Sequence, residues 1–115
     1  MADSKRRHPR VKTNLQVSVR SADGNSATAQ KISNISLGGV FLEMEDPWGF
    51  GTEMTLEFRL PAAPSVIKCR GFVVWSTKTS PERGEGHQGC GVRLMDIDIS
   101  SMRVLANYIE KELVP

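Results

Sequence analysis

A chain of 115 residues with 39% apolar and 24% charged side chains is long enough for one hydrophobic core and too short for two. Its apolar runs are only a few residues long, which excludes a membrane-spanning helix, and the charged N-terminus lacks the apolar segment of a signal peptide, so a cytoplasmic protein is expected. The net charge of +2 is unevenly spread: Lys5, Arg6, Arg7, Arg10 and Lys12 stand against Asp3, so residues 1–12 carry +4 and the rest of the chain −2. An arm at one end, rather than the whole surface, should attract phosphates.

Residues 1–11 are read as a flexible basic arm, since they have almost no hydrophobic content, and residues 12–115 as a single domain. Leu15, Val17 and Val19 alternate with Gln16, Ser18 and Arg20, the period of a half-buried strand. Asp23-Gly24 marks a hairpin turn, and a second strand is expected from Ala27 to Ile32. Val40, Phe41 and Leu42 begin a third strand that ends near Asp46-Pro47. Residues 46–51 form a loop whose Trp48 and Phe50 are expected to fold back onto the domain. Met54, Leu56 and Phe58 alternate in a fourth strand, Val66 to Ser76 make a fifth, and Cys90 to Met95 a sixth. Between the last two, the polar run Lys78 to Gly89 reads as a long exposed loop. From about residue 100 to 113, Met102, Leu105, Ile109 and Leu113 recur at helical spacing, with Asp98 or Ser100 available as N-cap. Short antiparallel strands followed by one helix imply an all-β, closed or split barrel with the helix over an open end.

Two short motifs carry the chemistry. Arg6-Arg7-His8-Pro9-Arg10 puts three guanidinium groups into five residues, and Asn34-Ile35-Ser36-Leu37-Gly38-Gly39 reads N-x-S-x-x-G. A guanidinium fork matches phosphate oxygens and the O6/N7 edge of guanine, which a lysine ammonium cannot do with the same geometry. Asn34 offers an amide donor and acceptor, Ser36 a small hydroxyl, and Gly39 a tight turn with close backbone approach. Cys69 and Cys90 lack C-x-x-C spacing and are expected as buried free thiols. With His8 and His87 they fall at no metal-ligand spacing, so no metal is expected. No nucleophile elbow, triad pattern or paired carboxylates are present, so catalysis is not expected.

In this order and at this separation, the two motifs resemble the signature of PilZ domains, small six-stranded antiparallel β-barrels with a C-terminal helix that bind cyclic di-GMP. The likeness extends to Leu15–Val19, to Val74-Trp75, and to Gly89-Cys90-Gly91-Val92-Arg93. It implies that Arg6 and Arg10, helped by Arg7, clamp phosphate and guanine, while Asn34, Ser36 and Gly39 sit against a guanine. Asn34 stands where family members often have Asp, which removes a charge-assisted bond to the guanine donors. Trp75, read on size alone as a core or lid residue with Trp48 and Phe50, becomes a further candidate for base stacking.

The resemblance thus implies a non-enzymatic cyclic di-GMP receptor with no other cofactor. Its arginine arm closes over the ligand against the turn and alters the binding of an unidentified effector protein. A homodimer is allowed for. The competing reading is a PilZ-like interaction module that binds no nucleotide and acts in motility or secretion. DNA and RNA are not expected partners: the arm is short, the remaining surface is slightly acidic, and no aromatic residues interleave with the basic ones.

Overall fold

The computed structural model describes residues 9–24, 27–61, 63 and 65–113. The described residues form six strands and one α-helix: β1 (Val11–Ser21), β2 (Thr28–Ile35), β3 (Gly39–Glu43), β4 (Glu53–Phe58), β5 (Ile67–Ser76), β6 (Gly89–Met95) and α1 (Ile99–Leu113). Every neighbouring pair is antiparallel, and the order β1-β2-β3-β6-β5-β4 returns to β1. The barrel is closed, so no sheet edge is left to recruit another chain. The expected class is therefore the observed one. The first strand begins at Val11, one residue before the expected boundary, and the arm residues 1–8 lie outside the described residues.

Alternation fills the interior. Val17 and Val19 of β1, Ile32 and Ile35 of β2, Leu42 of β3 and Met54, Leu56 and Phe58 of β4 point into one core with Ile67, Val73, Val92 and Leu94. One end is closed by α1, whose Leu105 and Ile109 are buried in that core, while Met102 is half-buried and Leu113 lies exposed. Of the two N-cap candidates, Asp98 serves: its Oδ1 accepts the Ser101 N–H at 2.7 Å, satisfying one of the unpaired amides of the first turn. None of the described helices is long and apolar enough to cross a membrane.

Three bulges set side chains where simple alternation would not; the one in β2, between Ile32 and Asn34, leaves Ile32 and Ile35 both buried with half-buried Asn34 between them. In β1 the register shifts between Lys12 and Leu15, and Thr13 within this bulge shares a 2.9 Å hydrogen bond with the Tyr108 hydroxyl of α1. In β5 it shifts between Val73 and Trp75. An extra residue reverses the phase of the strand, so Trp75 lies on the outer wall while Val73 and Ser76 are buried. There Trp75 and Phe41 flank Gly91 on adjacent strands and stack at 5.4 Å with a 21° interplanar angle. A Cβ at Gly91 would stand 2.1 Å from the indole Nε1. The loop after β5 is not wholly irregular: a short 3-10 turn, Pro81–Gly84, brings the Arg83 guanidinium to 4.6 Å from the Trp75 ring centroid.

Trp48 packs against the core, and Phe50 folds back onto the outer wall of the barrel rather than into the core. Phe50 is 73% exposed and meets only the outer ring of Phe72, edge-on at 5.8 Å. The reason is local: β5 presents Phe72 outward, so the loop ring finds an apolar partner on the wall instead of inside it.

Cys69 and Cys90 are buried free thiols on β5 and β6. Burial pushes both up from the ordinary 9.0 to about 11, with a backbone hydrogen bond at Trp48 partly opposing it at Cys90. Between those pH values the unfolded chain releases protons that the folded chain keeps, so the thiols leave stability unchanged below pH 9 and reduce it as the pH rises toward 11. Urea unfolding from pH 8 to 10.5 should show this loss in the wild-type chain and a shallower one in a Cys69→Ala/Cys90→Ala variant. Gly91→Ala, which must displace Trp75, should cost about 1–3 kcal/mol. Gly49→Ala, with no atom within 4 Å of the added Cβ, should stay within about 0.5 kcal/mol on the same measurement.

Candidate functional site

The N-x-S-x-x-G motif forms the connection from β2 to β3, and its serine holds that connection in shape. The Ser36 hydroxyl accepts the N–H groups of Gly38 and Gly39, each at 3.2 Å, while the Ser36 N–H donates to the Gly39 carbonyl at 2.8 Å. The hydroxyl proton is left with the Gly39 carbonyl at 3.4 Å, well beyond an ideal O–H···O length. Ser36 is therefore first a turn builder, with one weakly engaged donor. The turn is in turn fixed to β6: the Leu94 N–H donates to the Gly38 carbonyl at 3.0 Å, and a Cβ at Gly39 would lie 2.6 Å from the Val92 carbonyl. Glycine is needed there for the approach of β6.

The pairing of β1 with β2 brings Arg10, the last arginine of the first motif, next to the second motif. Val11 pairs with Ile35 and Lys12 with Asn34. One residue beyond the Val11–Ile35 pair lie exposed Arg10 and buried Ser36, so the last arginine of the first motif adjoins the second motif. Arg6 and Arg7 lie outside the described residues.

On the outer wall, Asn34 stands between Lys12 and Phe41 in the register. It is half-buried, and its amide makes no hydrogen bond among the described residues. The row continues through Gly91 to Trp75. Trp75, the stacking candidate, is thus in the same row as Asn34, but its ring already carries Phe41 and Arg83.

The electrostatics follow the register. Toward the far end of β3, the Glu43 carboxylate pairs with the Lys31 ammonium at 3.9 Å and meets the His87 imidazole at 3.7 Å, beside an open polar groove that also includes Gln16 and Gln88. Near the turn the exposed cation Lys12 has no ion-pair partner among the described residues. No three of His, Cys, Asp or Glu gather into a metal site among the described residues.

Sequence reasoning took in Lys12 only as arm charge and missed Phe41 and Arg83 beside Trp75. Period-2 alternation along β3 would have placed Phe41 on the outside next to Asn34. The Arg83 contact crosses a loop and a bulge and has no local signal.

A small, closed six-stranded antiparallel barrel, with a C-terminal helix over one end and a glycine turn locked against its sixth strand, defines a class of small β-domain. The chain belongs to the PilZ domain family, whose match covers residues 4–111. The family is generally one of non-enzymatic receptor domains. No curated protein matches the chain. Among solved structures it is similar to the Bacillus subtilis inhibitor of motility MotI/DgrA, with a TM-score of 0.74 and 19% identity over 95% of this chain and 52% of that one. It is also similar to the PilZ domain of Escherichia coli YcgR, solved with c-di-GMP, with a TM-score of 0.68 and 15% identity over 94% and 91% of the two chains. At these identities the likeness is one of fold, and the chain spans about half the length of MotI/DgrA.

Replacing Ser36 by Ala leaves two turn N–H groups without their acceptor and should destabilise the protein by about 1–3 kcal/mol. Urea unfolding checks this, and Ser36→Thr, which keeps the hydroxyl, should recover part of the loss.

Proposed function

We propose that this chain is a non-enzymatic receptor for cyclic di-GMP, bound at the outer wall where Arg10 adjoins the Asn34–Gly39 turn. The observation that supports the reading is the β1–β2 register, in which Arg10 adjoins the turn, close to an Asn34 amide without a hydrogen-bond partner among the described residues. Membership of the PilZ family and the fold shared with a PilZ domain solved with c-di-GMP support it.

The chemistry matches the ligand. Cyclic di-GMP carries two phosphodiester charges and two guanines. Guanidinium forks from Arg6, Arg7 and Arg10 bond phosphate oxygens and the O6/N7 edges. The neutral Asn34 accepts from the guanine N1–H and N2–H₂ group with less strength than an Asp would. The turn between them is rigid, so little ordering of the floor is needed on binding. Drawing the segment with Arg6 and Arg7 over the ligand changes the surface at the start of β1, and this change is what an effector protein reads.

Isothermal titration calorimetry with cyclic di-GMP, with GTP as control, tests the proposal. Saturable binding of cyclic di-GMP alone is expected, and its stoichiometry separates one ligand from a pair. Arg10→Ala should weaken binding by about 1.5–3 kcal/mol, the value of one charge-assisted bond. Asn34→Asp should strengthen it. No binding by the unsubstituted chain overturns the receptor reading and leaves a PilZ interaction module acting through protein contacts alone.

A further inference from the structure

Beyond the two motifs, we infer that Arg93 of β6 is a further anion-contacting residue of the same site, supplying a guanidinium from the side of the turn opposite Arg10. This inference rests on the cyclic di-GMP reading above. Its basis is where the sixth strand meets the turn. Arg93 pairs with Gly39 across β3–β6. Its two neighbours in sequence hold the turn: Val92 through the carbonyl that excludes a side chain at Gly39, and Leu94 through the N–H bonded to the Gly38 carbonyl. Val92 and Leu94 are buried, so alternation puts Arg93 on the outer face, where it is exposed.

Gly39 has no side chain to stand between Arg93 and the turn. On the other side Arg93 pairs with half-buried Phe72, which itself carries the edge of Phe50. An arginine stem laid between a glycine and an aromatic wall keeps its head group at the surface while its methylenes are covered.

Arg93 is also electrostatically unspent. The carboxylates that the register brings to this part of the wall are Glu53, which pairs with Phe72, and Asp96, just past the end of β6. Both are held by Arg70, whose guanidinium donates to Glu53 at 2.6 Å and to Asp96 at 3.1 Å. Arg93 has no hydrogen-bond or ion-pair partner among the described residues. An exposed fork beside a ligand floor, with its nearby carboxylates engaged elsewhere, suits a phosphodiester or a guanine edge.

The test is calorimetry with cyclic di-GMP on the full chain and its Arg93→Ala, Arg93→Gln and Arg103→Ala variants, with thermal midpoints measured alongside. Loss of one charge-assisted bond predicts about tenfold weaker binding in both Arg93 variants, with midpoints unchanged because the side chain is exposed. Arg103 lies exposed on α1, and its variant should bind as the wild type does. Raising the salt should narrow the gap between wild type and the Arg93 variants as the Debye length shortens. Wild-type affinity in both Arg93 variants overturns this inference and leaves the receptor reading standing. Failure of the unsubstituted chain to bind overturns that reading and this inference with it.

Discussion

The first strand pairs on both sides, with β2 along one edge and β4 along the other, and the rest of the molecule depends on this. Without the β1–β4 ladder the sheet would stay open, with unpaired amides along two edges. Without the β1–β2 ladder Arg10 and Lys12 would have no fixed relation to the turn. The same strand also holds the helix, because its bulge offers Thr13 to the Tyr108 hydroxyl. One strand thus closes the barrel, brings Arg10 next to the β2–β3 turn and fastens the cap. A change of register in β1 by one residue would exchange Val11, Leu15, Val17 and Val19 for polar neighbours in the core, so the burial of those four side chains also fixes where Arg10 lies.

Elements whose information is local were legible in the sequence. The alternation Leu15-Val17-Val19 and Met54-Leu56-Phe58, and the helical spacing of Leu105 and Ile109, report burial directly, and the structure buries all of them. The relation between motifs was legible only as a resemblance, since a pairing between residues 11 and 35 leaves no mark in either segment alone. What escaped depends on bulges and cross-strand neighbours. Trp75 lies outside because one extra residue in β5 shifts the phase, and a bulge of this kind has no strong composition signal. Phe50 was expected to fold back onto the domain as a core or lid residue, and an outward Phe72 decided that it does so on the wall. Arg93 could be read as outward from Val92 and Leu94, yet its nearness to Gly39 follows from the β3–β6 pairing, a crossover that sequence order hides.

The barrel wall sorts its charges by row. At the far end of β3, Glu43 serves both Lys31 and His87. On the β4–β5–β6 side, Arg70 holds Glu53 and Asp96, and these two hydrogen bonds, Glu53 first, raise its already high pKa further. These are exposed pairs and contribute little to stability. Their consequence is spatial: Glu53 and Asp96 are engaged by Arg70, and the exposed Lys12 and Arg93 near the turn have no ion-pair partner among the described residues. Exposed cations of this kind act on a dianion at a distance and speed encounter before any specific bond is made.

The turn itself shows how recognition is divided. Ser36 gives both of its hydroxyl acceptor positions to backbone amides, and Gly39 gives its missing side chain to the carbonyl of Val92. Neither residue can be exchanged freely whatever the ligand, because each is already committed to the junction of β2, β3 and β6. Asn34 is different: its amide makes no bond within the described fold, and changing it leaves the turn intact. The fold therefore constrains Ser36 and Gly39, and on the proposed reading the ligand constrains Asn34 and the arginines. A chain of this architecture could keep the serine and glycine for the fold alone, so under the receptor proposal it is the arginines and Asn34 that distinguish a binding member from a scaffold.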